Sequence, residues 1–426
     1  MLVLRGGWVI DPNEGFDGQA DVLVRDGRVV EFGEAVPGGD LDAEVIDVTG
    51  CWVVPGLVDL RAHLREPGDE HEEDIASALA AGAHGGFTAL CAMPGTRPVN
   101  DTRAVTELIK ARASSVDGPE VWPFGAITVG LRGEALTEMG ELREAGCVGV
   151  TDDRRSVTHA GLLRRAMEYA RTFDLVLAQH CEEPTLGAGA IMHEGPLSTR
   201  LGLRGSPAEA EEAAVTRDLR IAELTGARFH VSHVSSAGAV AAIREAKARG
   251  QRVTADVTPH HLTFTDQALA EFDTHAKVLP PLRSTADRAA LRAGLADGTL
   301  DAVATDHAPH AALDKDCELA EAAFGMIGLE TALPCVLALV QEGVLDRTRA
   351  IEALSTAAAR VVGRERSLRG SDAVTVIDPD REWTPSDATL RSKSRNTPLL
   401  GQSLRGAARL TFARGRIVHR SPSEPS

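Results

Sequence analysis

At the end of an apolar run, Asp59-Leu60-Arg61-Ala62-His63-Leu64-Arg65 places three long polar side chains at positions 61, 63 and 65. Alternate residues of an extended strand face the same way, so all three would enter one space. Four further side chains able to hold a metal ion, Asp153, His180, His233 and Asp306, stand at the ends of later apolar runs. Imidazole and carboxylate are the donor set of catalytic zinc and related divalent ions. A lone histidine at a strand end is more often a hydrogen-bonded structural group, and His71, His84, His159, His193, His230 and His275 are read that way. Three histidines and two aspartates at five strand ends together predict a hydrolytic metal centre, in which a bound ion activates water. Arg61 stands against the pattern, at the place where a second histidine would complete His-x-His. A guanidinium stays protonated and has no lone pair to offer. It is expected to pair with Asp306 or Asp153 and to take the first ion's place electrostatically.

Such residues need a frame that gathers them. From Val53 onward, eight short apolar runs alternate with longer amphipathic segments: Val53–Leu60, Gly86–Cys91, Val121–Ile127, Cys147–Thr151, Leu175–Gln179, Arg228–Ser232, Arg252–Val257 and Asp301–Thr305. They lack the polar alternation of a half-exposed strand and suit strands covered on both faces. The segments between them, such as Glu70–Ala83, Thr102–Ala113, His159–Arg171, Pro207–Leu224, Gly238–Arg249 and Thr285–Leu295, repeat apolar residues at helical spacing. This alternation predicts an α/β fold, a (β/α)8 TIM-type barrel whose catalytic groups project from the C-terminal ends of the strands. An open doubly wound sheet is disfavoured, because no G-x-G-x-x-G follows the first strand and the polar candidates follow many strands. The two ends are different. Residues 2–5, 20–25 and 28–32, with a hairpin signal at Asp26-Gly27, and Ala373–Ile377, Ala408–Phe412 and Arg416–His419 read as short strands. Neither set can close a core alone. Residues 1–54 and 366–426 are therefore expected to pair into one small β-sandwich beside a barrel of residues 55–365, with a disordered tail from Ser421.

Bulk properties narrow the function classes. The chain has 426 residues, 43% of them hydrophobic, enough for a large domain with an accessory module. A net charge of -17 leaves no phosphate-neutralising excess and argues against nucleic acid or an anionic membrane as partner. The six cysteines are scattered without a C-x-x-C pair, as for small buried side chains in a reducing compartment. The N-terminus reaches Asp11-Pro12 too early for a signal peptide, and no apolar run has the length of a membrane span. A cytoplasmic protein is expected.

Several longer stretches carry a resemblance. Val54-Pro55-Gly56-Leu57-Val58-Asp59, His63-Leu64-Arg65-Glu66-Pro67-Gly68, Thr151-Asp152-Asp153, His180-Cys181-Glu182, His233-Val234-Ser235, Thr258-Pro259-His260-His261-Leu262, Pro280-Pro281-Leu282-Arg283, Ala304-Thr305-Asp306-His307-Ala308-Pro309-His310 and Ser392-Lys393-Ser394-Arg395-Asn396-Thr397-Pro398 resemble the type I dihydroorotases of the amidohydrolase superfamily, along almost the whole chain. The resemblance implies a Zn2+ centre of one or two ions. His63 and Asp306 would help hold the first, His180 and His233 the second, and Asp153 would bridge them. Asp306 would also be the catalytic group that moves the proton. Arg65 and His310 would bind the substrate carboxylate, and the backbone of Phe324 and Gly325 would close over the ring. The implied reaction is the reversible hydrolysis of (S)-dihydroorotate to N-carbamoyl-L-aspartate in pyrimidine biosynthesis.

Three positions depart from the family pattern. Arg61 replaces a metal histidine, and Gly95 (in Met93-Pro94-Gly95-Thr96) and Leu279 replace asparagines of the substrate pocket. Two readings follow. In the first the protein is a cyclic amidohydrolase working mainly through the second ion, held by Asp153, His180 and His233. In the second it is a non-catalytic homologue kept as a structural partner of aspartate carbamoyltransferase. The resemblance also implies a homo-oligomer or a larger mixed assembly. A nucleoside-type deaminase on the same barrel fits poorly, since such enzymes rely on the His-x-His pair that is broken here.

Overall fold

The computed structural model describes residues 1–33 and 43–421; the tail expected to be disordered lies, beyond Ser421, outside the described residues. All eight apolar runs yield strands: Leu57–Ala62, Phe87–Ala92, Glu120–Gly125, Gly149–Val150, Val176–Gln179, Phe229–Val231, Val253–Val257 and Ala302–Val303. They pair in chain order, all parallel. Between the first and last strands the ring is completed by a parallel bridge of Ala62 with His307 and by His63 N donating to His307 O at 2.9 Å. Asp59 adds a clasp there, accepting from Thr305 N at 2.7 Å and Thr305 Oγ1 at 2.8 Å. Burial pushes this carboxyl up to about 7. The architecture is a nearly closed (β/α)8 barrel.

The strands are apolar throughout because both faces are covered. Val58, Leu60, Ala89, Cys91, Val176 and Ala178 form one buried cluster with Phe124, Ala302 and Ala304. Leu57, Phe87, Leu90 and Leu177 belong to another, shared with the helices outside. The pairing of the first two strands shifts register between Asp59 and Ala62, and Leu60 and Arg61 consequently both line the interior beside Phe124 and Ala178. That shift turns Arg61 towards the barrel axis.

Two sequence expectations need correction. The first run is split. Trp52–Pro55 belongs to the terminal sheet, and only Leu57–Ala62 enters the barrel. Gly56 makes the crossing, and a Cβ there would stand 2.2 Å from Thr88 Oγ1, so the close approach leaves room for glycine alone. The first helix starts later than Glu70, at Ile75, because Asp74 and Ser77 form a capping box at that point. The other helices, Arg103–Ser114, Ala160–Thr172, Glu209–Thr225, Ala237–Ala248 and Thr285–Ala296, fall within a few residues of the periodic segments.

The chain's two ends meet on the strand Trp52–Pro55. It pairs in parallel with Leu2–Asp11 and antiparallel with Val374–Trp383. The result is one eight-stranded mixed sheet with Arg28–Gly33 and Arg416–Arg420 at its ends. This sheet curls over itself. The hairpin turn at Asp26-Gly27 touches the one at Arg414-Gly415, a Gly27 Cβ being only 3.0 Å from Gly415 Cα. Leu4, Val22, Val53, Val374, Leu410 and Phe412 share its core. Among the described residues no helix is long and apolar enough to cross a membrane.

Candidate active site

Four of the residues singled out by sequence sit in left-handed backbone at or beyond strand ends: Arg65 (φ 62°), Asp153 (60°), His233 (41°) and Asp306 (47°). Non-glycine residues adopt this region at a cost, met by the structure around them. Each turn swings a polar side chain away from the direction the strand would impose.

At the centre lies Arg61, 2% exposed. Its Nε donates to Asp306 Oδ1 at 2.8 Å and its Nη2 to Asp153 Oδ1 at 2.7 Å. Burial disfavours the cation, but Asp153 and Asp306 outweigh that and hold it above the ordinary arginine range. One guanidinium therefore joins the two carboxylates, a charge-assisted bridge in an interior of low dielectric. Gly95 is fitted to the same arrangement. A Cβ at position 95 would stand 2.4 Å from Asp153 Oδ2, so the aspartate occupies space that a side chain there would need. Leu279 is half-buried.

The histidines line the other side. His63 Nε2 lies 3.6 Å from Asp153 Oδ1 and 4.0 Å from Asp306 Oδ1. Burial, then the charges of Arg154, Arg65 and Arg61, keep His63 neutral, well below the usual histidine range. His180 and His233 meet edge to face with ring centres 4.9 Å apart. Burial, then Arg61, does the same to His233. His180 Nε2 faces Glu182 Oε2 at 3.0 Å. Among the described residues His63 Nε2, His180 Nδ1 and both ring nitrogens of His233 are buried without a hydrogen-bond partner. Orphaned polar atoms of this kind are costly and call for a partner.

These observations test the fit of a metal. The first position does not fit an ion, because Arg61 fills the space between Asp153 and Asp306. The second offers lone pairs on His180 and His233. Asp153, however, is drawn to Arg61, and Asp153, His180 and His233 do not form a group whose donor atoms all lie within 4.8 Å of one another; the three-residue group that meets that spacing among the described residues is Glu72, His310 and Asp314. Three histidines read from the sequence as structural have partners elsewhere. His84 faces Glu330, His159 caps a helix and His230 faces Asp256.

The mouth is built from the loop after the last strand. His310 Nε2 lies 3.0 Å from Phe324 O, and Arg154 Nη1 donates to the same carbonyl at 2.8 Å. Arg65 donates through Nε and Nη2 to Pro309 O and pairs with Glu72 at 2.8 Å; Glu72 Oε1 in turn lies 3.2 Å from His310 Nδ1. Asn396, from the C-terminal segment, donates to Ala308 O and Gly325 O and accepts from His310 N. Two buried lysines tie the loop down. Lys277 Nζ donates to Leu319 O and Ala320 O, and Lys315 Nζ to Thr274 O and Ala323 O. Sequence reasoning missed Glu72, Arg154 and both lysines. The Arg154-Arg155 pair directly after Asp153 was the available signal.

The barrel with such residues at its strand ends is that of the cyclic amidohydrolases. It superposes on an L-hydantoinase (dihydropyrimidinase) from Arthrobacter aurescens with a TM-score of 0.86 and 25% identity, covering 100% of this chain and 97% of that one. A dihydropyrimidinase from Brevibacillus agri, at 22% identity and a TM-score of 0.82 over 98% of this chain and 95% of that one, shares the fold. Residues 50–239 match the dihydro-orotase-like family. Dihydroorotases from Anaeromyxobacter dehalogenans and Syntrophotalea carbinolica are 52% and 48% identical over 98% of this chain, covering 98% and 99% of theirs. The chain belongs to the dihydroorotase family, a metal-dependent class of hydrolases.

Proposed function

We propose that this protein is a dihydroorotase working with one metal site: it opens the ring amide of (S)-dihydroorotate to N-carbamoyl-L-aspartate and closes it in reverse, as a step of pyrimidine biosynthesis. The observation that carries the reading is the set of unpartnered, buried imidazole nitrogens on His63, His180 and His233, the first of them 4.0 Å from Asp306 Oδ1. His180 and His233 would hold one divalent ion, zinc being the default for this donor set, with Asp153 joining as third donor only on release from Arg61. Such an ion, when bound, polarises the ring carbonyl and lowers the pKa of water. The rest falls to the chain. Arg61 holds Asp306 Oδ1, leaving Oδ2 to accept the proton of the attacking water and return it to the leaving ring nitrogen. The guanidinium is a fixed positive charge in the first ion's place and steadies negative charge that develops nearby. Arg65, His310 and the backbone of Phe324 and Gly325 line the ring's approach, with Gly95 and Leu279 on the pocket wall.

The bridge from Asp153 through Arg61 to Asp306 favours a second reading, in which the centre is closed to metal. The protein would then act as a structural partner, aspartate carbamoyltransferase being the natural associate for a dihydroorotase homologue, in a homo-oligomeric or mixed assembly. Elemental analysis of the purified protein and turnover of dihydroorotate separate the two. The catalytic reading expects about one divalent ion per chain, and more in Arg61→His. A natural protein and an Arg61→His variant both free of metal and of turnover would overturn it.

A further inference from the structure

Near the N-terminal end of the third barrel strand, on the face opposite the active site, two guanidinium groups lie against one indole. Trp122 belongs to the strand Glu120–Gly125 and is 7% exposed. Arg366 stands with its Cζ 5.0 Å from the ring centre, and Arg364 with its Cζ 5.6 Å from it. Both arginines come from the link between the helix Thr356–Val361 and the strand Val374–Trp383.

Arg366 is 8% exposed, and its Nε and Nη2 are buried without a hydrogen-bond partner. Those two nitrogens form one edge of the guanidinium, the edge whose parallel N–H bonds take a carboxylate or phosphate in a fork. The nearest carboxylate does not fill it. Glu120 Oε2 lies 3.7 Å from Nη2, beyond hydrogen-bond reach, and already accepts from Trp122 Nε1 at 2.8 Å. Burial lowers Arg366 from the ordinary arginine range; Glu120 and Asp372 counter that, and Arg364 adds to it. Arg364 is exposed and, among the described residues, has no ion pair of its own. Glu120 and Trp122 also line a cavity of about 190 Å³ together with Lys110 and Arg414. A buried cationic donor without an acceptor is unfavourable. An oxyanion beside it relieves both the orphaned N–H groups and the repulsion between the two arginines.

We infer that Arg366 and Arg364 form a binding site for a phosphate group, separate from the hydrolytic centre. The free edge of Arg366 takes two of its oxygens, and Arg364 answers the remaining charge from the solvent side. Free phosphate and a phosphate ester present the same oxygens to this pair. The site does not depend on the reaction at the opposite face.

The test is titration calorimetry on the full-length protein with inorganic phosphate and with a nucleoside monophosphate. The natural protein should bind at least one of them, and Arg366→Met should weaken that binding about tenfold or more, the worth of a forked charge-assisted contact. Arg366→Lys keeps the charge but loses the fork, so it should recover only part of the loss. Arg364→Gln changes an exposed side chain and should weaken binding several-fold. If the methionine variant does not fold, the Arg366→Lys and Arg364→Gln proteins decide. Tighter binding of inorganic phosphate marks the free ion as the ligand, and tighter binding of the nucleotide marks an ester. A natural protein that binds neither probe, or an affinity unaltered by changes at both arginines, overturns the inference.

Discussion

Arg61 shows how one side chain reorganises its neighbours. By joining Asp153 to Asp306 it fixes where the Asp153 carboxylate lies, and that position in turn excludes a side chain at residue 95. Two departures that look independent in the sequence, Arg61 and Gly95, are therefore one arrangement. The same contact leaves Asp306 a single oxygen for proton transfer. Asp306→Asn keeps the shape and a hydrogen-bond acceptor for Arg61 but cannot take a proton. Its turnover of dihydroorotate should fall by about 10²–10⁴-fold, and the melting temperature should fall too because buried Arg61 loses one of its two counter-charges; near-natural turnover would remove Asp306 from the mechanism. The sequence made the polar candidates visible because histidine and aspartate are rare at the ends of buried strands. It offered Arg154 only as one of the pair Arg154-Arg155, and no residue pattern announces the left-handed turn at Asp153 that precedes them.

Among the elements, the strands were the most legible. Burial on both faces writes itself as an unbroken apolar run, and each run proved to hold a barrel strand. What the pattern hid was the split at Gly56, since strands of two sheets lie end to end in one apolar stretch. The loop from Ala311 to Gly325 was hidden too. It is held by Lys277 and Lys315, whose partners are backbone carbonyls, and contacts with backbone carry no sequence signature. Burial lowers Lys315 from the usual 10.5 to about 7. The sign follows from proton binding. Between those two values the unfolded chain holds the proton and the folded one has lost it, so stability from this group rises with pH across that window. Below about 7 both states are charged and the penalty of burying the cation is fully present. Melting curves from neutral to alkaline pH should show a rise that Lys315→Met lacks; parallel profiles for the two proteins would refute the assignment.

On the scale of the whole molecule, an acidic chain with a net charge of -17 concentrates three arginines, Arg61, Arg65 and Arg154, around its interior site. The terminal sheet is equally a property of the whole. The strand Trp52–Pro55 is flanked by a strand from each end of the chain, and the sheet's core mixes Leu4 and Val22 with Leu410 and Phe412. A chain ending after Arg366 would expose that core and leave Trp52–Pro55 without its antiparallel neighbour. It should lose cooperative unfolding in circular dichroism; a truncated protein melting as sharply as the full chain would show that the barrel stands alone. The pairing of the two ends was readable because neither set of strands could bury its apolar faces unaided. The way the sheet curls, with two hairpin turns touching, depends on close backbone approach at Gly27 and Gly415 and was not.

Asn396 has a consequence in time as well as space. Its amide braces Ala308, His310 and Gly325 from a segment that follows every barrel strand in the chain. A ribosome therefore completes the last of those strands, Ala302–Val303, long before the brace exists. Until residue 396 has emerged, a nascent chain can shape its barrel but cannot set the rim of its pocket.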